Sequence, residues 1–452
     1  MIMKTFVRKK QYKAKAPEET VAEIKQILES CNIIVGEEKR KFEKPGVASC
    51  RIWLSGGDIS FGDFGTNGKG MTEMYSLASA YGEMMERLSN FILLGDYCED
   101  AYRKGMTKYI TAPDETMLNA ADALVQGWPV LSKLLRVDED FLKEKCKNTD
   151  AQACVPYYDL FNDRTVNLPH KTLRMVIGSN GMAAGNTYME AVTQGLSEIY
   201  ERAAVLECYR ENPEIHLLHP ESFRGNKIYE KLERMKSFGY GYRILDLSMG
   251  KAYPVVGLLL EKNGRKAFRA GADPCPVTAL ERCLTEIFQG DEISVNNFFK
   301  ERCCKVFPGI NDEWERMSVN DEEIAYHVDG SGLAPECIFN PSEEFAENFA
   351  GTDGESEKTD YEYMVNLTKS LGFGLYIRDW SFLDFPAYQI IVPELSNYDL
   401  IYEEGRDVYG WSFEKANFRN DRFTKACADV LNNLFAEYEK NIPVQGKEMI
   451  RR

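Results

Sequence analysis

One short pattern occurs twice in this chain of 452 residues, and it limits the available folds more than any other feature. The segments "GMTEMYSLASAYGEMMER" and "GNTYMEAVTQGLSEIYER" share G-x-T … E-x-x-E-R at a constant offset of 115 residues. Gly70, Thr72, Glu83, Glu86 and Arg87 fall on Gly185, Thr187, Glu198, Glu201 and Arg202, and Ser79 falls on Gln194. Solenoid repeats run about 20–50 residues, so this spacing points to two related elements facing one site.

Each segment has helical periodicity. With about 100° per residue, Ser79, Glu83, Glu86 and Asn90 share a narrow stripe, and Leu77, Tyr81, Met84, Met85 and Leu88 gather opposite. On the second helix Glu190, Gln194, Ser197, Glu198 and Glu201 form the polar stripe, opposite Val192, Leu196, Ile199 and Ala203. Such a face standing alone, with Glu83–Arg87 or Glu198–Arg202 as an i,i+4 ion pair, is an ordinary solvated surface. Three features argue against that here. The stripes carry no lysine, the pattern recurs, and both helices follow a glycine-containing turn where backbone N–H groups can approach an anion. Facing carboxylates stay ionised only beside cations, and magnesium shared with a polyphosphate supplies them.

The rest of the chain alternates helices and strands, a mixed α/β architecture. "PEETVAEIKQILESC" reads as a helix; "SCRIWLSG" and "DISFGDFG" read as hairpin strands before a glycine-rich turn at 66–70. The first long helix is expected from about Thr72 to Leu94, and 100–150 as a mostly helical, polar insertion. "VPYYDLFNDRTVNLP" reads as two strands around Asn162–Asp163, and the second long helix starts near Tyr188. "GYRILDLSM" and "YPVVGLLLE" read as strands, "VTALERCLTEIFQG" as a third helix ended by Gly290, and 340–360 as an acidic loop. "FGLYIRDWSF" and "AYQIIVPEL" return as strands, and 411–452 as a helix until Pro443. The expected division is an N-terminal helix and strands (1–60), a central domain (61–405) and a helical tail (406–452).

Composition narrows the partners. With 55 Lys plus Arg against 71 Asp plus Glu, the formal charge of −16 excludes nucleic-acid and anionic-membrane binding as expectations. The longest apolar run, "YPVVGLLL", is too short to span a bilayer. The basic N-terminus lacks an apolar signal core, so the expected location is cytoplasmic. The 12 cysteines, Cys303 and Cys304 adjacent among them, form no CxxC pair and read as buried, reduced thiols. With only 4 histidines (His170, His216, His219 and His327) no zinc cluster is visible, and these four read as structural or exposed.

"TNGKGMTEMYSLASAYGEMMERLS", "SNGMAAGNTYMEAVTQGLSEIYERA" and the Arg-x-x-x-Glu helix "ALERCLTEIFQG" resemble, in order and spacing, the signature blocks of the YcaO family. The likeness runs from about residue 50 to about 400. It implies a YcaO-type fold, with long amphipathic helices packed on mixed sheets, that binds ATP and magnesium without a Walker A loop. "DFGTNGKG" indeed lacks both the first glycine and the final Ser/Thr of that loop. Carried over by motif position, Glu83, Glu86, Glu198 and Glu201 would hold magnesium. Ser79, Asn186, Glu190, Gln194, Arg202, Arg282 and Glu286 would contact the nucleotide. For Lys69 two readings stand, a phosphate contact or a solvated lysine.

The resemblance further implies phosphorylation of an amide oxygen by ATP after a nucleophile has added to a peptide or protein carbonyl. Loss of phosphate then leaves an azoline, a thioamide or an amidine. No Ser/His/Asp or Cys/His signature supplies a catalytic nucleophile. The ending "NIPVQGKEMIRR" departs from the "PxPxP" tail of azoline-forming members and favours another outcome, such as thioamide formation with a sulfur-donating partner. The blocks are closest to bacterial members linked to β-methylthiolation of a small-subunit ribosomal protein beside a radical-SAM methylthiotransferase. About 50 residues follow "QIIVPELSNYDL", so the helical-repeat domain of those members is expected to be missing. A homodimer is the state the family implies.

Overall fold

The computed structural model describes residues 5–9, 13–42, 45–55, 64–90, 95–119, 127–147, 151–289, 334–398, 421–443, 445–447 and 449. Cys303, Cys304, His327, Gly290, 91–94, 411–420 and most of "DISFGDFG" lie outside them. Three sheets carry the fold. The first has the order β1-β2-β3, from Ile34–Phe42, Val47–Ser55 and Gly65–Gly70. The second runs β4-β5-β12-β13-β7, from Thr116–Leu118, Gln152–Asp159, Tyr376–Asp379, Ala387–Ile391 and Met182–Ala184, with β6 (Arg164–Pro169) also on β5. The third runs β11-β10-β9-β8, from Arg265–Ala272, Val255–Lys262, Gly241–Asp246 and Leu217–Leu218. Every ladder between these strands is antiparallel.

The helices that matter for the site are α1 (Pro17–Ser30), α2 (Glu73–Ser89), α7 (Tyr188–Glu211), α9 (Pro276–Ile287) and α11 (Glu357–Ser370). Between and beyond them come α3 (Gly95–Arg103), α4 (Trp128–Leu135), α5 (Glu139–Cys146), α6 (His170–Ile177), α8 (Lys227–Ser237), α10 (Glu336–Phe339) and α12 (Asp421–Tyr438).

Several sequence expectations change. The glycine-rich stretch at 66–70 is strand, not turn. A Cβ at Gly68 would lie 1.8 Å from the Ser76 carbonyl oxygen, and one at Gly70 would lie 2.6 Å from Ser76 N. These glycines let α2 press on the strand; they do not bend the chain. Thr66 Oγ1 donates to Ala80 O (2.8 Å) and Cys50 Sγ to Ser76 O (3.1 Å), pinning the helix there. The helix stops at Ser89, where Asn90 caps it, its N–H and its Nδ2 both donating to Glu86 O. Residues 100–150 are no appendage: Trp128, Leu131, Leu134 and Leu142 are buried in the same core as α1 and α2. Strand β11 and helix α11 lay unread in the sequence, the helix starting inside the expected loop, where Ser356 caps Thr359 N at 3.1 Å.

The helix α7 is buried almost all round, against β7, β13, β10, β11 and α11. Ser197 belongs to this buried surface and not to the polar stripe; its hydroxyl donates to Thr193 O (2.7 Å) within the helix. The ten described cysteines are reduced thiols, and all are buried. Among the described residues no helix is long and apolar enough to cross a membrane.

Candidate functional site

Two capped helix starts organise the site. Thr72 and Thr187 adopt nearly identical extended backbones (φ −143°, ψ 166° and φ −141°, ψ 162°), and each side chain accepts from the residue three positions on, Tyr75 N and Glu190 N. At Gly185 a Cβ would lie 2.8 Å from Ala191 N, the counterpart of the Gly70–Ser76 approach. The helix starts are therefore closed by their own chain. Glu190, in the first turn of α7, accepts from Asn186 N (3.3 Å), Asn186 Nδ2 (3.2 Å) and Ala14 N (3.1 Å). The expected anion cradle at this helix start is filled by a side-chain carboxylate, which the helix dipole favours.

From Glu190 to Arg202 the positions of α7 left partly open are Glu190, Gln194, Glu198, Glu201 and Arg202. All five are polar, and every other position of that stretch is buried. Across from them α2 presents Ser79, Glu83 and Glu86, each partly open, and α9 presents Arg282 and Glu286.

The charges interlock. Arg202 reaches Glu198 at 2.9 Å and stacks on the Tyr398 ring with its guanidinium 4.6 Å from the centroid. Arg87 lies 3.4 Å from both Glu83 and Glu86. Glu201 accepts from Ala272 N at 3.0 Å, Arg282 donates to Asp273 at 3.0 Å, and Lys69 forms an ion pair with Glu286. Burial pushes the Glu83, Glu86 and Glu201 carboxyls above the ordinary range, Glu86 well above, and the Glu198 carboxylate pushes each the same way. Burial pulls the Lys69 ammonium down against the attraction of Glu201, Glu83 and Glu198. For Arg87 and Arg202 burial opposes the charge, but the surrounding carboxylates still hold both above the usual value.

Glu190 and Asn186 form a second node at the other end of the stripe. Burial would raise the Glu190 carboxyl, yet Lys13, Ala14 N–H and Asn186 together hold it below the ordinary value. Thr20 on α1 donates to Asn186 Oδ1 at 2.7 Å. Lys69, Arg87, Asp273, Lys13 and Tyr398 join the site without having been assigned to it. Arg87 was readable from the repeated E-x-x-E-R, and Lys69 lies in the first block, where a phosphate contact was one of its two readings; Asp273, Lys13 and Tyr398 come from other parts of the chain. The described histidines do other work. His170 is buried edge-on to Trp380 (5.2 Å), and His219 caps a short turn at Glu221 N.

The oxygen-rich donor set suits a hard divalent cation, and burial works against the charged forms of Glu83, Glu86 and Glu201. Among the described residues, no three or more of the His, Cys, Asp and Glu side chains converge as a ready metal site. Here the glutamates are tied to arginine, lysine and a backbone N–H.

The fold thus gathers a duplicated strand–helix unit, two acidic helices and a third helix with Arg-x-x-x-Glu around one charged cluster. The chain belongs to the YcaO family: residues 67–396 match the YcaO cyclodehydratase family, described as ATP- and Mg2+-binding. It is 28% identical to an uncharacterised protein of Haemophilus influenzae over 88% of this chain and 68% of that one. It is also 28% identical to the ribosomal protein S12 methylthiotransferase accessory factor YcaO of Escherichia coli, over 84% of this chain and 65% of that one. The chain thus spans about two thirds of the length of these relatives. Its fold is shared by a heterocyclase solved with substrate and cofactor (TM-score 0.60, 18% identity, 89% of this chain and 55% of that one). The Methanopyrus kandleri YcaO bound with AMPPCP and Mg2+ shares it too (TM-score 0.52, 17% identity, 86% and 93%).

Proposed function

We propose that this protein is an ATP- and magnesium-dependent enzyme that activates a peptide or protein amide by phosphorylating its carbonyl oxygen, and that it is a non-azoline member of its family. The observation that carries this reading is the stripe on α7. In a helix enclosed on nearly every side, the open positions between Glu190 and Arg202 are all polar, and Glu83 and Glu86 act on the same charges. Glu83, Glu86, Glu198 and Glu201 would hold magnesium, which neutralises phosphate charge when bound. Arg202 and Arg282 offer fork-shaped donors for phosphate oxygens. Ser79, Asn186, Glu190, Gln194 and Glu286 would orient the nucleotide. Positioning and charge stabilisation suffice for phosphoryl transfer, so no side-chain nucleophile is required.

The 28% identity to the Escherichia coli accessory factor supports a second reading. In it the chain uses ATP to assist β-methylthiolation of a small-subunit ribosomal protein beside a radical-SAM methylthiotransferase. Thioamide formation with a sulfur-donating partner is the corresponding version of the first reading. A homodimer in the cytoplasm fits either.

Magnesium-dependent ATP hydrolysis by the purified chain is the test. Glu198→Ala and Glu201→Ala should each lower turnover by about 100-fold or more while the fold persists by circular dichroism. A protein that neither binds nor hydrolyses ATP, or variants with full turnover, would overturn the assignment. Phosphate release stimulated by a candidate peptide favours the amide-activating reading; stimulation by a methylthiotransferase alone favours the second.

A further inference from the structure

Two consecutive residues where β11 ends serve the site: the Ala272 N–H orients Glu201 of α7 (3.0 Å), and the Asp273 carboxylate receives Arg282 of α9 (3.0 Å). Asp273 is itself pinned. Its N–H donates to Pro254 O (3.1 Å), and its Oδ1 accepts from Cys275 N (3.0 Å), closing the turn into α9. Its Oδ2 is the atom that meets Arg282 Nη2. The helix that carries Arg282 is equally fixed. A Cβ on Gly271 would lie 2.4 Å from Ala279 O and 2.8 Å from Cys283 Sγ, so α9 rests on the backbone of β11. Cys283 Sγ then donates to Val256 O on β10 (3.2 Å). Arg87 and Arg202, by contrast, pair with glutamates of their own helices that are assigned to magnesium. Asp273 lies outside that carboxylate set, so its hold on Arg282 does not compete with a cation.

We propose that Asp273 is a positioning residue for nucleotide binding: it fixes the guanidinium of Arg282 through Nη2, so that the rest of the fork meets phosphate oxygens. This rests on the reading of Arg282 as a phosphate contact. The tether has a definite competitor to exclude. Glu286 stands one turn further along α9, at the i,i+4 spacing where opposite charges pair, and already receives Lys69. An untethered Arg282 would turn to Glu286, which takes a donor from the phosphate and occupies a second nucleotide contact. Asp273 also offsets part of the arginine's charge, and that by itself weakens attraction to an anion. Preset geometry outweighs this loss, because a partly buried arginine that is already oriented gives up little freedom when the nucleotide arrives.

The test measures binding of AMPPCP with Mg2+ by titration calorimetry, and the kinetics of ATP hydrolysis, on the full chain. Asp273→Asn keeps an oxygen for Cys275 N but offers Arg282 no carboxylate. It should weaken AMPPCP about tenfold and raise KM for ATP by the same factor, with kcat within about twofold, the pattern of uniform binding lost. Asp273→Ser, which also retains an acceptor for the turn, should do the same. Unchanged or tighter binding by either folded variant overturns the proposal. The Arg282→Ala background separates positioning from a merely structural role. There Asp273→Asn should change affinity no further; a further loss of the same size would mean that Asp273 acts elsewhere, and overturns the proposal as well. If Arg282→Ala weakens AMPPCP and Asp273→Asn does not, the positioning role alone is lost. If Arg282→Ala binds AMPPCP as wild type does, the phosphate reading of Arg282 falls and this inference with it.

Discussion

The two copies of the repeated unit share a junction but differ in burial. Both have a threonine cap with the same backbone angles and a glycine two residues before it that lets strand and helix touch. Beyond that junction they diverge. Helix α2 buries one side, and its Gly82 meets nothing within 4 Å. Helix α7 is enclosed, and a Cβ on its Gly195 would lie 2.6 Å from Ile390 Cδ1. The approach of strand to helix differs too: the first copy has Gly68 where the second has the buried Ala183. What the copies preserve is the geometry that aims the carboxylates. The site has a core wall, α7, and a wall nearer the surface, α2.

The sharpest break of this comparison is Gly68→Ala. Its Cβ would meet a backbone oxygen at 1.8 Å, so the strand or α2 must move. A loss of about 3 kcal/mol is expected in urea unfolding. The counterpart Ala183→Gly removes one methyl from a strand and should cost about 1 kcal/mol. Equal effects would mean that the two junctions are packed alike.

The caps give the next contrast. Thr72→Ala loses one hydrogen bond, from Tyr75 N (3.3 Å), and should cost about 1 kcal/mol. Thr187→Ala loses the equivalent bond from Glu190 N and also its own donation to Glu357 Oε2 at 2.7 Å. A bond to a charged group contributes about 1.5–3 kcal/mol, so Thr187→Ala should be clearly the worse in thermal melts. Comparable melting temperatures for the two variants would show that the contact with α11 adds nothing.

This asymmetry also marks what was legible in the sequence. The helices α1, α2, α7 and α9 follow from helical periodicity, and the strands β2, β5, β6, β9, β10, β12 and β13 from short apolar runs, which in β12 and β13 are buried throughout. The polar stripes were readable for the same reason. Two other kinds of feature were not. "TNGKG" looks like a turn because composition cannot tell a glycine that bends the chain from one that makes room for a neighbour. Ser197 sits at stripe spacing but is buried, since only tertiary packing decides how much of a helix is enclosed. The partners Lys13, Asp273 and Tyr398 come from far along the chain and carry no local signal. Lys69 lay inside a recognised block, yet its environment depends on three helices brought together by the fold.

The finest contrast is between two carboxyls that titrate in opposite directions, Glu86 on α2 and Glu190 at the start of α7. Burial and Glu198 hold Glu86 well above the ordinary glutamate value of 4.5. A group raised in the folded state contributes stability that is full below its unfolded value and lost as pH rises through its folded one. In divalent-free buffer Glu86→Gln should therefore match wild type below about pH 4.5 and exceed it in melting temperature toward neutrality. Glu190 is the reverse case. Despite burial, Lys13, Ala14 N–H and Asn186 lower it, so its contribution is present above 4.5 and lost as pH falls through the folded value. Glu190→Gln should be less stable than wild type at neutral pH, with the gap closing in acid. Parallel profiles for the two variants would remove the distinction between a carboxyl raised by burial and one lowered by its partners. Added Mg2+ should erase the advantage of Glu86→Gln, because the wild-type carboxylate then gains the counter-charge that burial denied it.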